Sequence, residues 1–483
     1  MMPLEPDSAA AGPARPPTPD TRPAATTEGP LANPGRGLAV AAVLMAMTLV
    51  VLDAGMTNLA LPTIASALGV SPAATVLVVT AYQTALLVAL LPAAALGERL
   101  GYRRVFASGA WLFIGASVLS ACAPTLPWLV AARALQGLGG AAILALGVPL
   151  LRFSVPPHRL GAAIGWNALT VALASSAGPG VGALILSTAE WPSLFLANVP
   201  IGIVVLLACR QLPRSPSGSQ RLDFASMALS GGMFAGVFVG AQLLPAQPVL
   251  AGGLAAASLV CIGLLVRREG PKAAPLVPLD LLRQTSLRLS VIASVLCFTG
   301  QTAAMVALPF YLQQVLGQSP SATGVYMTVW PLSVALTALA AGRLADRFST
   351  AWLCTAGGLI LALGLVSAAL WPLAEDVRPM LVFAAACGMG FGLFQTPNNR
   401  NMFLAAPLAR SAASGGLQGT ARLTGQTAGA VLMTLLFTLA PFGTAPRLGL
   451  GIGGVLALLA GLVSLLRSGD RPPATGEALP MAD

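Results

Sequence analysis

The sequence predicts an all-α polytopic membrane protein with fourteen transmembrane helices, and three observations predict it. The 483 residues are 56% hydrophobic and 9% charged, whereas a soluble globular domain carries about 25% charged residues. Apolar runs recur along the whole chain, each close to the roughly 20 residues a helix needs to cross a bilayer. The basic residues fall on alternate loops, as the positive-inside bias requires of a multispanning chain.

Taken in order, residues 1–36 are rich in Pro, Ala, Thr and acids and hold no apolar core of a leader peptide. They are expected to be a disordered cytosolic tail. An N-terminal six-helix bundle over 37–212 follows, with spans expected at 38–62, 74–96, 105–123, 127–150, 160–187 and 193–210. Residues 213–285 form a linker that itself crosses twice, at 223–243 and 249–266. A C-terminal six-helix bundle over 286–467 takes spans at 289–313, 322–345, 351–373, 379–398, 413–440 and 447–466, and 468–483 form a second cytosolic tail.

Charge placement tests this count. With the N-terminus inside, the inner segments hold 22 of the 26 Lys and Arg residues; the outer loops hold only Arg378 and Arg447, and Arg133 and Arg422 lie within spans. A wrong number of helices would scramble the alternation. The net charge of +10 therefore sets orientation in the membrane, with both termini cytoplasmic, and nucleic acid is excluded as a partner. The turns ALGERLGYRR (Ala95 to Arg104) and AGRLADRF (Ala341 to Phe348) repeat an acid–Arg pattern after the second span of each bundle. Transporters are commonly built from such repeats, with cargo held between them near the midplane.

Asp53 is the only carboxylate near the middle of any span. An acid in hydrocarbon is costly unless it faces a wet cavity or a partner, so it marks function and points to proton-coupled transport. It lies about 15 residues from the inner start of its span, roughly 22 Å at 1.5 Å per residue, and Arg133 sits at a similar depth in the fourth span. A carboxylate beside a guanidinium releases its proton readily and a desolvated one retains it. Moving Asp53 between such surroundings would load and unload a proton, with Arg133, always charged, as its tuner. A static ion pair between the first and fourth spans is the competing reading.

The six cysteines stand singly and His158 is the sole histidine, which leaves no metal site, no cofactor and no catalytic cluster of the kind a polytopic enzyme needs. Glu98, Arg99, Gly101, Arg103 and Arg104 form a candidate cytosolic gate, mirrored by Asp346 with Arg343 and Arg347. Gly178, Pro179 and Gly182 give the fifth span a small-residue face around a proline, suited to close packing and a bend. Cavity candidates are Asn58, Gln83, Gln136, Asn167, Gln301, Gln395, Asn398 and Arg422. For any single one, interhelical hydrogen bonding without substrate contact is the stronger reading.

Six stretches in order give the chain a family resemblance: LDAGMTNLALPTIASAL (Leu52 to Leu68), LVAARALQGLGGA (Leu129 to Ala141), SSAGPGVGA (Ser175 to Ala183), WPSLFLANVPIG (Trp191 to Gly202), GLFQTPNNR (Gly392 to Arg400) and ARLTGQTAG (Ala421 to Gly429). Across 37–467 it resembles the fourteen-helix drug:proton antiporters of the major facilitator superfamily. The resemblance implies the major facilitator fold, with two six-helix bundles and an inserted hairpin. It also implies a monomer in the bacterial inner membrane, alternating access driven by the proton motive force, and a loop around Glu98 that latches the halves when the cavity opens outward. Glu98 stands where the family usually has Asp, Ala94 where Gly is usual, and Ala183 where the antiporter motif has a second Gly.

The expected activity is export of a small amphipathic molecule, such as a drug or toxic metabolite, in exchange for protons. A facilitator with another coupling mode, or a dedicated metabolite exporter, is the alternative. With Asp53 the one acid available and Arg133 and Arg422 adding fixed positive charge, the cargo is expected to be neutral, monocationic or weakly acidic.

Overall fold

The computed structural model describes residues 33–213, 222–272, 281–405 and 411–467. The tails expected over 1–36 and 468–483 lie outside these residues except for positions 33–36. Among the described residues the chain is helical throughout, without strands, as a lipid-exposed backbone requires when each N–H and C=O must be paired within its own segment.

The first half comprises α1 (Asn33–Leu68), α2 (Pro72–Leu100), α3 (Tyr102–Ala121), α4 (Leu126–Ser154) and α5 (Pro157–Thr188), with a sixth span broken into α6 (Pro192–Leu196) and α7 (Asn198–Ala208). A hairpin of α8 (Phe224–Leu243) and α9 (Pro248–Glu269) follows. The second half contains α10 (Thr285–Phe310), extended by a π-helical turn at Tyr311–Val315, then α11 (Pro320–Leu344), α12 (Thr350–Leu370), α13 (Pro379–Ala405), α14 (Ser411–Leu439) and α15 (Ala445–Leu465). Thirteen spans among the described residues are long and apolar enough to cross a membrane. The helix α14 has 29 residues but carries Gln418, Arg422 and Gln426, and it reads as a span by length and position in the repeat rather than by apolarity. Large apolar side chains such as Leu184, Leu259, Leu339 and Leu404 face outward, where lipid would cover them.

The two halves pack alike. Within the first, α1 lies on α5, α4 and α7, α2 on α4, and α3 on α4 and α7; within the second, α10 lies on α14, α13 and α15, α11 on α13, and α12 on α13 and α15. Local chemistry repeats too. Pro72 and Pro320 open α2 and α11, each behind a Ser whose Oγ accepts a backbone N–H three residues on, Ser71 from Ala74 and Ser319 from Ala322, both at 3.2 Å. Proline is tolerated there because the first helical N–H has no partner to lose. Interior prolines fall on α1, α2 and α4 and on their counterparts α10, α11 and α13.

Between the halves the contacts are exchanged, with α5 against α11, α14 against α2, and α1 against α10. On the face opposite the starts of α1 and α10, the Gln313 Nε2 donates to the Leu59 carbonyl oxygen at 3.1 Å. One apolar core joins Met56, Ala60 and Ile64 of α1 to Ala303, Leu308 and Phe310 of α10. That face is closed. The α8–α9 hairpin packs on α2 and α14 and so lies along their seam.

Candidate functional site: a central cavity backed by a buried ion pair

The α1–α5 crossing is a close helix approach beside the site. A Cβ at Gly55 would meet the Gly178 Cα at 3.0 Å, and one at Gly182 would meet the Met56 Cα at 3.1 Å. Only glycines allow backbones so near. The same stretch of α5 faces α11, where a Cβ at Gly324 would lie 2.3 Å from the Cβ of Ala183. Gly178, Pro179, Gly182 and Ala183 therefore hold α5 between α1 of its own half and α11 of the other. Ala183, which departs from the antiporter pattern, is matched across the seam by the bare Gly324.

Behind this crossing, α1 turns Asp53 away from the other half and into a sealed polar cluster with α3, α4 and α7. Asp53, Arg133, Gln136, Asn198 and Ser117 are all buried. Arg133 donates to Asp53 Oδ2 at 2.6 Å, and Oδ1 accepts from Asn198 Nδ2 at 2.7 Å and from Gln136 Nε2 at 3.1 Å. Arg133 also donates to Gln136 Oε1 and, through Nε, to the Val78 carbonyl oxygen at 3.4 Å. Ser117 accepts from Gln136 at 2.9 Å while donating to its own Phe113 carbonyl at 2.8 Å. Both charges are thus paired and hydrogen-bonded, the condition under which a buried ion pair is tolerated. Asn198 reaches Asp53 from the first residue after the α6–α7 break. Asn198 and Ser117 were not singled out from the sequence. A lone amide in the apolar stretch FLANVPIG was a usable signal for the first, whereas Ser117 is one of several small polar residues on α3 that bond to their own helix.

On the other side of α1 lies a cavity of about 210 Å³ walled by both halves. From the first half it takes Ala54, Asn58, Tyr82 and Gln83, and from the second Gln301, Met305, Arg422 and Gln426. Tyr82 belongs to both sites, since the Arg133 guanidinium stacks over its ring at 4.3 Å while the same residue lines the cavity. Arg133 also lies 5.6 Å from the Phe195 ring.

The other candidates from the sequence are distributed as follows. Asn58, Gln83, Gln301 and Arg422 line the cavity. Gln136 does not; it is consumed by the Asp53 cluster. Asn398 lies at a helix junction instead, donating to the Ser290 carbonyl at 3.2 Å and accepting from Arg467 at 2.9 Å. Asn167 on α5 and Gln395 on α13 are not among the residues that line this cavity. Asn401, unremarked in the sequence, joins the Asn398 junction through Ser290 Oγ at 2.8 Å.

The charge clusters at the ends of α2 and α11 differ from expectation. Glu98 and Arg99 are exposed, and among the described residues neither forms an ion pair; Arg104 is exposed as well. Arg103 donates to the Leu212 carbonyl at 3.3 Å, tying the turn to the segment that follows α7, and Gly101 provides the turn with φ +94°. Asp346 pairs with Arg400 of α13 at 2.7 Å rather than with Arg343 or Arg347. The turn after α11 carries its carboxylate toward the last turns of α13, where Arg400 lies.

Two mirrored six-helix halves enclosing a polar chamber at mid-depth define a multispanning membrane transporter. The family model of the Major Facilitator Superfamily matches residues 43–285 and 290–482, and the chain belongs to that superfamily, whose members here are transporters and not enzymes. It is 40% identical over 448 residues to the uncharacterized transporter YebQ of Escherichia coli (strain K12), covering 90% of this chain and 96% of that protein. The riboflavin transporter RibZ of Clostridioides difficile (strain 630) is 29% identical, over 77% of this chain and 81% of its own. The multidrug efflux pump LfrA of Mycolicibacterium smegmatis (strain ATCC 700084 / mc(2)155) is 29% identical, over 83% and 81%. A crystal structure of the peptide transporter POT in complex with sulfate shares the fold with TM-score 0.68, at 16% identity over 89% of this chain and 94% of that one.

Proposed function

We propose that the chain exports small amphipathic molecules in exchange for protons, by alternating access, across the cytoplasmic membrane of a bacterium. Asp53 carries the proton and Arg133 tunes it. The observation that carries this reading is the placement of one buried acid, held by Arg133, Gln136 and Asn198, behind a helix whose other side faces the cavity. Protonating Asp53 where it stands would leave the Arg133 charge unpaired in a dry site, which is costly. Proton uptake therefore goes with a shift of α1 against α4, and the cavity face of α1 and the Tyr82 ring move with it. The cargo and the proton then act on the same two elements.

The relatives support export of amphipathic compounds, since they include a multidrug efflux pump and a tetracenomycin C resistance and export protein of Streptomyces glaucescens. At about 210 Å³ the cavity is smaller than the roughly 300–1,000 Å³ of ordinary ligand pockets, so loading requires the halves to part. The closed face opposite the start of α1, with Glu98 unpaired, fits a state that opens toward the chain ends, and the positive-inside bias puts those ends in the cytoplasm. The chain works as a monomer, its bundles being 37–212 and 286–467 and the rest linker and tails. A dedicated metabolite exporter is the second reading, favoured by the small cavity and by the riboflavin transporter among the relatives.

The test is dye or antibiotic accumulation in inside-out vesicles driven by an imposed pH gradient. The native chain accumulates cargo uphill and Asp53→Asn does not, although it still equilibrates cargo downhill. Uphill accumulation by Asp53→Asn would refute the proposal.

A further inference from the structure

The cavity between the halves has one charge in its wall, and that charge is positive. Of the described residues that line it, Arg422 alone is ionised, and no hydrogen bond or ion pair engages its guanidinium. Asp53, the acid at the same depth, already accepts from Arg133, Asn198 and Gln136 on the far side of α1, so its charge is not available. A guanidinium at mid-membrane without a counter-charge is expensive and is retained where a cavity supplies water or a ligand supplies an anion.

Further groups beside it are unsatisfied. The Tyr82 hydroxyl, buried at 4% exposure, has no hydrogen-bond partner, and neither do the buried carboxamide oxygens Asn58 Oδ1 and Gln83 Oε1. Buried polar atoms are normally paired, and unpaired ones in a cavity wall indicate a missing ligand or water. Leu86, Leu144, Met305 and Met327 complete the wall with apolar and adaptable surface.

We infer that this cavity is a site for an amphipathic organic anion, an apolar or aromatic body bearing a carboxylate, sulfonate or comparable acidic group that pairs with Arg422. The Tyr82 hydroxyl is a second donor to the acidic group, and N–H or O–H groups on the body meet Asn58 and Gln83. Arg422 sets the class of cargo, while Asp53, already neutralised by Arg133, has no part in choosing it. The inference narrows the export reading to one chemical class and rests on that reading only for the direction in which the anion moves.

The experiment uses the purified full chain in lipid nanodiscs, without a gradient, and compares two xanthene dyes of similar shape and opposite charge. Fluorescence anisotropy gives the affinities for anionic fluorescein and cationic rhodamine 123. Fluorescein is expected to bind the native chain at least tenfold tighter than rhodamine 123. The Arg422→Gln variant is expected to lose that preference through weaker fluorescein binding, and Arg422→Lys to retain most of it. A second measurement needs no variant: 2-naphthoate is expected to displace fluorescein from the native chain at least tenfold better than 2-naphthamide. Equal affinity for the two dyes, tighter binding of rhodamine 123, no binding of fluorescein, equal displacement by acid and amide, or unchanged fluorescein binding by a folded Arg422→Gln variant would each overturn the inference. Because binding is read at equilibrium, such a result leaves proton exchange standing, and loss of coupling would leave an anion preference standing.

Discussion

The seam between α5 and α11 allows a sharp test of how the halves move. A methyl group added at Gly324 would place its carbon 2.3 Å from the Cβ of Ala183 and 3.2 Å from the Pro179 carbonyl oxygen. Apolar carbons rest about 3.5–4.0 Å apart, so in Gly324→Ala the two helices must separate by more than about 1 Å. Overpacking of this kind costs roughly 1–3 kcal/mol. The strain falls on a contact of the closed face and is relieved when that face parts. About 2 kcal/mol shifts a two-state equilibrium roughly 30-fold, toward the conformation open on that face. Labelling with a membrane-impermeant maleimide reads this out. With the exposed Cys122 exchanged for Ser, Thr328→Cys reports on the seam, because its side chain stands 3.4 Å from where a Cβ on Gly180 would be. Labelling from the outer face is expected to rise in Gly324→Ala and to fall back when Ala183→Gly is added, since the 2.3 Å clash is then removed and the new methyl keeps only the Pro179 oxygen at 3.2 Å and the Cα of residue 183 at 3.8 Å. Such a rescue isolates the pairwise interaction. A folded Gly324→Ala protein labelled like its parent, or a double variant labelled like Gly324→Ala, would show that this contact does not separate the two conformations.

Two further outcomes follow from the structure. Asn198→Leu removes a 2.7 Å donor from a fully buried carboxylate, and hydrogen bonds to charged groups contribute about 1.5–3 kcal/mol; the purified protein is expected to melt at lower temperature and to pump less, and an unchanged melting curve would remove Asn198 from the cluster. At the base of the α8–α9 hairpin, hydrogen bonds from Arg268 and then Lys272 and the Ser226 N–H hold the Asp223 carboxyl below the usual carboxylate range, and the Asp223 and Glu269 carboxylates raise the Lys272 ammonium. A lowered carboxylate stabilises above its unfolded value near 3.9, and the benefit is lost as pH falls below that; a raised ammonium stabilises below about 10.4, and the benefit is lost as pH rises beyond it. Protection from hydrogen exchange at the start of α8, taken relative to the intrinsic rate at each pH, is therefore expected to be greatest between those limits, and Asp223→Asn is expected to abolish the acid edge.

Much of the architecture could be read from where the arginines fall. The run at 413–440 located α14, and the alternation of basic loops supported it, even though Arg422 and Gln426 make it less apolar than the other spans. Depth along the helices put Asp53 and Arg133 at one level, and they lie 2.6 Å apart. Rotation about each helix axis was not legible. That phase decides that Asp53 faces α4 and α7 while Asn58, a little more than one turn on, faces the cavity, and that Gln136 and Asn398 bond to neighbouring helices. Contacts across the molecule were hidden for the same reason. Asp346 has arginines beside it in sequence, yet Arg400 is the one it meets, and nothing near Gly324 announces that Ala183 stands opposite.

The α8–α9 hairpin crosses the membrane twice and so returns the chain to the side it left. The second half consequently enters in the sense it would have if spliced directly to the first, and its arginine-bearing turns stay level with those of its twin. One added helix would have turned that half upside down and set its basic loops against the orientation preference of the rest. An even number is thus the only insertion this architecture accepts without inverting half of itself.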